Sequence, residues 1–202
     1  MQQPKYKFYA TILDSFWGYL NSDVVWEKYW GWSENPPHTA EQFHELQFQE
    51  LIDRINRKPF DSEKADRGTC FNELVDALIE HRKPKDVEVE RVADDKNAVW
   101  YRAIYNNRTF SFPVSLCCEF ADYFKGALTQ IRVEAILPTA YGNVLVYGLI
   151  DELMPTTVHD IKTTGSYTVG KFKDHHQHLV YPYALMQNGS DVRTFEYNIV
   201  EF

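Results

Sequence analysis

The chain has 202 residues, 44% hydrophobic and 25% charged, the make-up of a folded globular protein, which excludes disorder and low complexity. It carries 21 Lys and Arg against 29 Asp and Glu, a formal charge of −8, which excludes a general basic coat for nucleic acid. The three cysteines, Cys70, Cys117 and Cys118, make neither a disulfide framework nor a C-x-x-C metal site.

In chain order, residues 8–20 place Ile12, Leu13, Phe16, Trp17 and Leu20 at helical spacing. Residues 21–38 read as aromatic and irregular, with Trp26, Tyr29, Trp30 and Trp32 before Pro36-Pro37. Thr39 with Gln42 makes a capping box that opens a helix, which Lys58-Pro59 closes. Asp61 or Ser62 caps the next helix, 62–82, with Phe71, Leu74, Val75, Leu78 and Ile79 on its apolar side. Strands are predicted over 87–92, 98–105 and 109–114, with turns at Asp94–Asn97 and Asn106-Asn107. Ser115 is the expected cap of a helix over 115–127.

Residues 129–137 alternate as a half-buried strand, and residues 143–151 are apolar on both faces, as a central strand should be. A third strand spans 157–163. Gly170 precedes a helix over 171–187, which Asn188-Gly189 stops, and a fourth strand covers 193–202. A three-strand meander followed by a helical crossover describes an α/β protein with a central mixed sheet flanked by helices. The expected organisation is one domain: a helical part over 1–60, a core from 61–83 and 128–202, and a β-rich insertion over 84–127.

Met1-Gln-Gln-Pro-Lys5 shows no apolar leader, and the stretch 144–150 is too short to span a bilayer, which needs ~20 residues. With unpaired thiols, these features point to a cytoplasmic protein without a membrane partner.

Three pieces carry chemistry. Asp151 ends the central strand in Gly148-Leu-Ile-Asp151. Asp160 and Lys162 alternate onto one face of the next strand, with Ile161 on the other. Two carboxylates and the Ile161 carbonyl make a hard oxygen site suited to Mg²⁺ or Mn²⁺, with Lys162 placed to assist a nucleophilic water. Taken alone, Asp160-x-Lys162 is a weak signal that reads more readily as a surface ion pair; Asp151 beside an apolar stretch is costly unless paired or metal-bound. Gln177 and Tyr181, at i and i+4, share a helical face. His159, His175, His176 and His178 point in too many directions for a zinc site. No G-x-x-x-x-G-K-[ST] occurs, so no nucleotide cofactor is expected.

Gly148-x-x-Asp151, Asp160-x-Lys162 with Thr163-Thr164, and Gln177-x3-Tyr181 stand in the order and spacing of RecB-type exonucleases of the PD-(D/E)XK nuclease superfamily. The chain resembles that family over roughly residues 62–202, including the helix, three strands, helix and strand of its core. The resemblance implies a Mg²⁺- or Mn²⁺-dependent DNA nuclease, an exonuclease of recombination or repair in a bacterial or phage-infected cell. Asp151, Asp160 and Ile161 would be its metal ligands, and Lys162, Gln177 and Tyr181 its catalytic or supporting residues. The family often carries Gly-Thr-x-x-His on an upstream helix, with the His on the metal. Here Gly68-Thr69-Cys70-Phe71 leads to Asn72 and then Glu73, so Asn72 or Glu73 would take that place. No cysteine follows Cys118, which resembles the branch without an iron–sulfur cluster. Any ATP-driven unwinding would need a helicase or recombinase partner. Two rivals stand beside this expectation: a structure- or site-specific endonuclease, and a non-catalytic nucleic-acid-binding protein on a decayed nuclease fold.

Overall fold

The computed structural model describes residues 4–202. Met1, Gln2 and Gln3, part of the segment read above for a leader, lie outside the described residues. The protein is mixed α/β: among the described residues it has six helices, a main mixed five-stranded sheet and a small antiparallel three-stranded sheet. No described helix is long and apolar enough to cross a membrane. The chain divides into two compact units. One holds 1–60, 134–148 and 172–188, and the other 61–133, 149–171 and 189–202.

The first unit opens with β1 (Tyr6–Tyr9), followed by α1 (Ala10–Leu20), α2 (Ser22–Trp30) and α3 (Ala40–Ile55). Two of these elements correct the sequence reading. The residues expected to begin a helix at Phe8 form β1, which runs parallel to residues 144–147 with Tyr6 opposite Val144. The segment read as irregular contains α2. Two of its aromatic residues are tied down, since Trp30 meets Phe43 of α3 edge-on at 5.1 Å and Trp26 Nε1 donates to the His38 carbonyl at 2.9 Å, whereas Tyr29 and Trp32 stay exposed. The capping box at Thr39 forms as expected. Gln42 N–H donates to Thr39 Oγ1 at 3.2 Å, and Thr39 N–H to Gln42 Oε1 at 2.9 Å.

Also in this unit, α6 (Gln177–Gln187) is shorter than the predicted helix, because residues 171–176 form turns. Its start is set by Asp14, whose Oδ1 accepts the His176 backbone N–H at 2.7 Å. Pro182 sits inside α6, and Tyr183 Oη donates to the Ile136 carbonyl at 2.8 Å.

The second unit begins with α4 (Glu63–Ile79), and Ser62 rather than Asp61 caps it, accepting the Ala65 N–H at 3.3 Å. Next come β2 (Glu88–Ala93), β3 (Val99–Tyr105) and β4 (Arg108–Pro113), the antiparallel three-stranded sheet. Asn97, Asn106 and Asn107 take positive φ at its turns, which asparagine tolerates. Helix α5 (Val114–Tyr123) follows Pro113, two residues before the Ser115 expected to cap it, and its N-cap position makes no side-chain hydrogen bond. The core joins Phe71 and Val75 of α4 to Ala103, Phe110 and Phe112 of the small sheet, and to Ile161 and Val200.

The main sheet is completed by β5 (Leu128–Thr139), β6 (Gly142–Leu153), β7 (Thr157–Thr164) and β8 (Thr194–Glu201). Strand β6 pairs with β5. Strand β7 runs antiparallel to β6 and parallel to β8. This is the three-strand meander and fourth strand after a helix read from the sequence, and the fourth strand pairs in parallel.

Candidate active site

The site is built in the second unit, where β6 hands over to β7. The register Glu152↔His159 sets Asp151 opposite Asp160 one step further along the pair. Asp151 Oδ2 accepts the Ile161 backbone N–H at 2.9 Å, which fixes the carboxylate against the strand. Lys162 Nζ lies 2.6 Å from Asp160 Oδ2, and the same ammonium stands 5.9 Å from the Tyr197 ring centroid. Alternation along β7 buries Ile161 in the core and turns Asp160 and Lys162 to the opposite face. Asp160 is 1% exposed, and Lys162 is the opposite charge paired with its carboxylate there.

A cleft of about 660 Å³ opens beside this hairpin, lined by Asn72, Asp76, Gln130 and Asp151 among others. The helix α4 reaches it because Gly68 lies against the end of β7. A Cβ on Gly68 would stand 3.1 Å from Thr163 Oγ1, tighter than most packed contacts. The Gly-Thr pair singled out in the sequence thus has a local physical reason: close approach of α4 to β7.

Of the two upstream candidates, Glu73 is already engaged. Arg82 binds its carboxylate through both terminal nitrogens, and the Lys85 backbone N–H donates to it as well. Asn72 differs, because its Oδ1 is buried and meets no hydrogen-bond donor of the protein.

Two acids were not singled out in the sequence. Asp76 is 1% exposed, and its Oδ2 accepts from Gln130 Nε2 at 2.9 Å while its Oδ1 has no donor. Burial pushes its carboxyl up to about 6; Glu73 and Glu80 add to this, and the Gln130 bond and Arg82 oppose it. Gln130 holds φ 51°, the left-handed region, which costs about 1–2 kcal/mol for a residue with a side chain. The spacing of Asn72 and Asp76, four residues apart, is the signal that could have found Asp76. Glu152, beside Asp151, has neither oxygen hydrogen-bonded and is fully buried. Burial, with Asp151 next, raises its carboxyl to about 10, so it is protonated at neutral pH.

Burial raises the Asp151 carboxyl above the ordinary range. The Asp160 carboxylate is the next cause, and the Ile161 N–H and Lys162 work against it. Two acids that repel in a sparsely solvated place favour a bound cation. Among the described residues, no three His, Cys, Asp or Glu side chains gather as a metal group. Asp151 and Asp160 with neutral oxygens, those of Asn72 and the Ile161 carbonyl, still fit Mg²⁺. That ion takes one or two carboxylates and fills its other positions with water and substrate phosphate.

Gln177 and Tyr181 lie on α6 of the first unit. Gln177 Nε2 donates to Tyr181 Oη at 3.2 Å, so the pair reads as one linked group. The Tyr181 ring covers Gly148, where a Cβ would fall 2.1 Å from Tyr181 Cε1. Two sequence motifs, Gly148-x-x-Asp151 and Gln177-x3-Tyr181, therefore meet at Gly148 and Tyr181. Comparison with family models, curated proteins and solved structures finds no match to the chain.

Proposed function

We propose that the protein is a metal-dependent deoxyribonuclease that hydrolyses phosphodiester bonds, acting as an exonuclease in recombination or repair. The observation that carries this reading is the hairpin of Asp151 against Asp160, with Lys162 Nζ 2.6 Å from Asp160 Oδ2, at a cleft reached by Asn72 and Asp76. The RecB-type resemblance supports the same chemistry.

In this reading Asp151 and Asp160 hold Mg²⁺ or Mn²⁺, with the Ile161 carbonyl and Asn72 as neutral donors. The ion would supply Lewis-acid activation of water and neutralise charge on the phosphoryl oxygens. Lys162 orients the attacking water and donates to a non-bridging oxygen as negative charge grows there; Asp160 fixes the ammonium for that task. Asp76, steadied by Gln130, lines the same cleft with one oxygen that has no donor in the protein. Glu73 is a structural acid, spent on Arg82. Gln177 and Tyr181 brace the backbone at Gly148 that leads into Asp151. The net charge of −8 agrees with a cleft that attracts divalent cations first and polyanion through them.

A second reading, nucleic-acid binding on a decayed site, draws on the absence of a three-acid or histidine group among the described residues. Incubation with linear and covalently closed circular DNA in Mg²⁺, Mn²⁺ or chelator separates the readings. Loss of linear DNA alone marks an exonuclease, and nicking of circles marks an endonuclease. Binding without cleavage in either metal overturns the proposal.

A further inference from the structure

We infer that the pocket at the end of β7 is a phosphate-binding subsite for the strand being cut. The assignment to a substrate strand rests on the nuclease reading above; the affinity for a phosphate group does not.

The pocket encloses about 230 Å³ in the second unit. Its walls bring three cations together: Lys64 and Arg67 from α4, and Lys171 from the turn that follows Gly170. Lys64 and Arg67, three residues apart, project from one face of the helix. Thr163, Thr164 and Ser166 complete the wall, and no Asp or Glu side chain lines it.

The cations are held rather than dispersed. Lys171 Nζ donates to Thr164 Oγ1 and to the Ser166 carbonyl, both at 2.6 Å. The Arg67 guanidinium lies 5.8 Å from the Phe110 ring centroid and pairs with Glu63, 3.4 Å away and 65% exposed. In a chain of net charge −8, three positive groups converging on one hollow with no acid in its wall favour an anion there. Ammonium, guanidinium and hydroxyl donors together suit the several acceptor oxygens of a phosphate group. The volume exceeds a phosphate by a few waters, at ~30 Å³ per water.

The placement ties the pocket to the chemistry. Thr164 shares a face of β7 with Asp160 and Lys162, and lies about 7 Å beyond Lys162 at the usual strand rise. That separation is comparable to the spacing of neighbouring phosphates along one nucleic-acid strand. A phosphate held at Lys64, Arg67 and Lys171 would therefore set the adjacent phosphodiester against Lys162. The group bound is either a terminal phosphomonoester or an internal phosphodiester of that strand.

The test uses the full chain as Lys64→Glu and Lys171→Ala; both lysines are exposed, so folding is not at stake. Short single-stranded oligonucleotides, with and without terminal phosphates, are bound in Ca²⁺ at several salt concentrations and read by fluorescence anisotropy. Each variant is expected to bind roughly tenfold more weakly, the effect of losing a charged hydrogen bond. The slope of log affinity against log salt should fall by about 0.7 per lost contact. If removal of the terminal phosphate weakens the wild type equally, and millimolar inorganic phosphate competes, the phosphomonoester is the group held. If removal changes nothing while the variants stay weak, it is the internal phosphodiester. Wild-type affinity and salt slope in both variants overturn the inference. Weakened binding in a protein that cleaves no DNA leaves the anion site standing and removes the nuclease reading. Cleavage with unchanged KM and affinity in the variants removes this inference alone.

Discussion

Gln130 donates its amide to Oδ2 of Asp76 at 2.9 Å and leaves Oδ1 of the same carboxylate without a donor. One residue stands in left-handed backbone on β5 and the other is buried on α4, so the fold spends conformational strain to steady an acid it does not fully satisfy. That combination belongs to a site whose remaining valence is met from the cleft.

Asp76 ties stability to pH. Its folded carboxyl, at about 6, lies above the ordinary 3.8 of an aspartate, so the folded state holds its proton more tightly. The contribution is full below the lower value, falls as pH rises between the two, and is gone above 6. Asp76→Asn should therefore stabilise the metal-free protein at pH 7.5 by on the order of 1–3 kcal/mol and leave it nearly unchanged at pH 4. Thermal melts in chelator at both pH values check this, and Mn²⁺ should raise the wild-type Tm more than the variant's.

Glu152 gives a broader window. Its folded carboxyl at about 10 lies far above 4.5, so protein stability should decline with pH across the interval between them. Glu152→Gln keeps the shape and removes the ionisation. Its Tm advantage over wild type should be absent near pH 4 and grow steadily through pH 9. A constant offset would show that the Glu152 carboxyl has the same pKa in the folded and unfolded states.

Asn72 and Glu73 should separate cleanly. Glu73→Gln breaks the ion pair with Arg82 and should cost roughly 1–3 kcal/mol in denaturant melts while leaving Mn²⁺ affinity within about twofold. Asn72→Ala should keep the stability and weaken Mn²⁺ binding, read by calorimetry, by about tenfold, one charge-assisted contact's worth.

Gly148 is limited by the ring beside it. Gly148→Ala would drive its methyl into Tyr181, with Cε1 at 2.1 Å and Cδ1 and Cζ at 2.9 Å, and should cost about 1–3 kcal/mol. Combining it with Tyr181→Leu should recover part of the loss. A double-mutant cycle with coupling near zero would mean the ring yields without penalty.

Much of this was legible in the sequence where the signal is local. The Thr39–Gln42 box, the alternation of 129–137 and the shared face of Asp160 and Lys162 follow from neighbours a few residues apart. Strand β1 was hidden because Phe8 continues the helical spacing of α1, and its partners lie at 144–147. Helix α2 was hidden because Trp30 meets Phe43 of α3 while Val24 and Tyr29 stay exposed, which leaves no apolar stripe to read. Asp76 was masked by Leu74, Val75, Leu78 and Ile79, which read as the whole message of that helix. Its role emerges only when Gln130 and Asp151 are brought to the same cleft. Glu73 looked available until the fold returned the chain past it with Arg82.

The most direct measurement is the rate of linear DNA cleavage in Mg²⁺ or Mn²⁺ by Lys162→Ala beside the wild type, with circular dichroism to establish that both are folded. The account predicts metal-dependent cleavage by the wild type and a loss of at least ~10²-fold in the variant, the scale of a positioned proton-transfer or charge-stabilising group. Full cleavage by folded Lys162→Ala would contradict it.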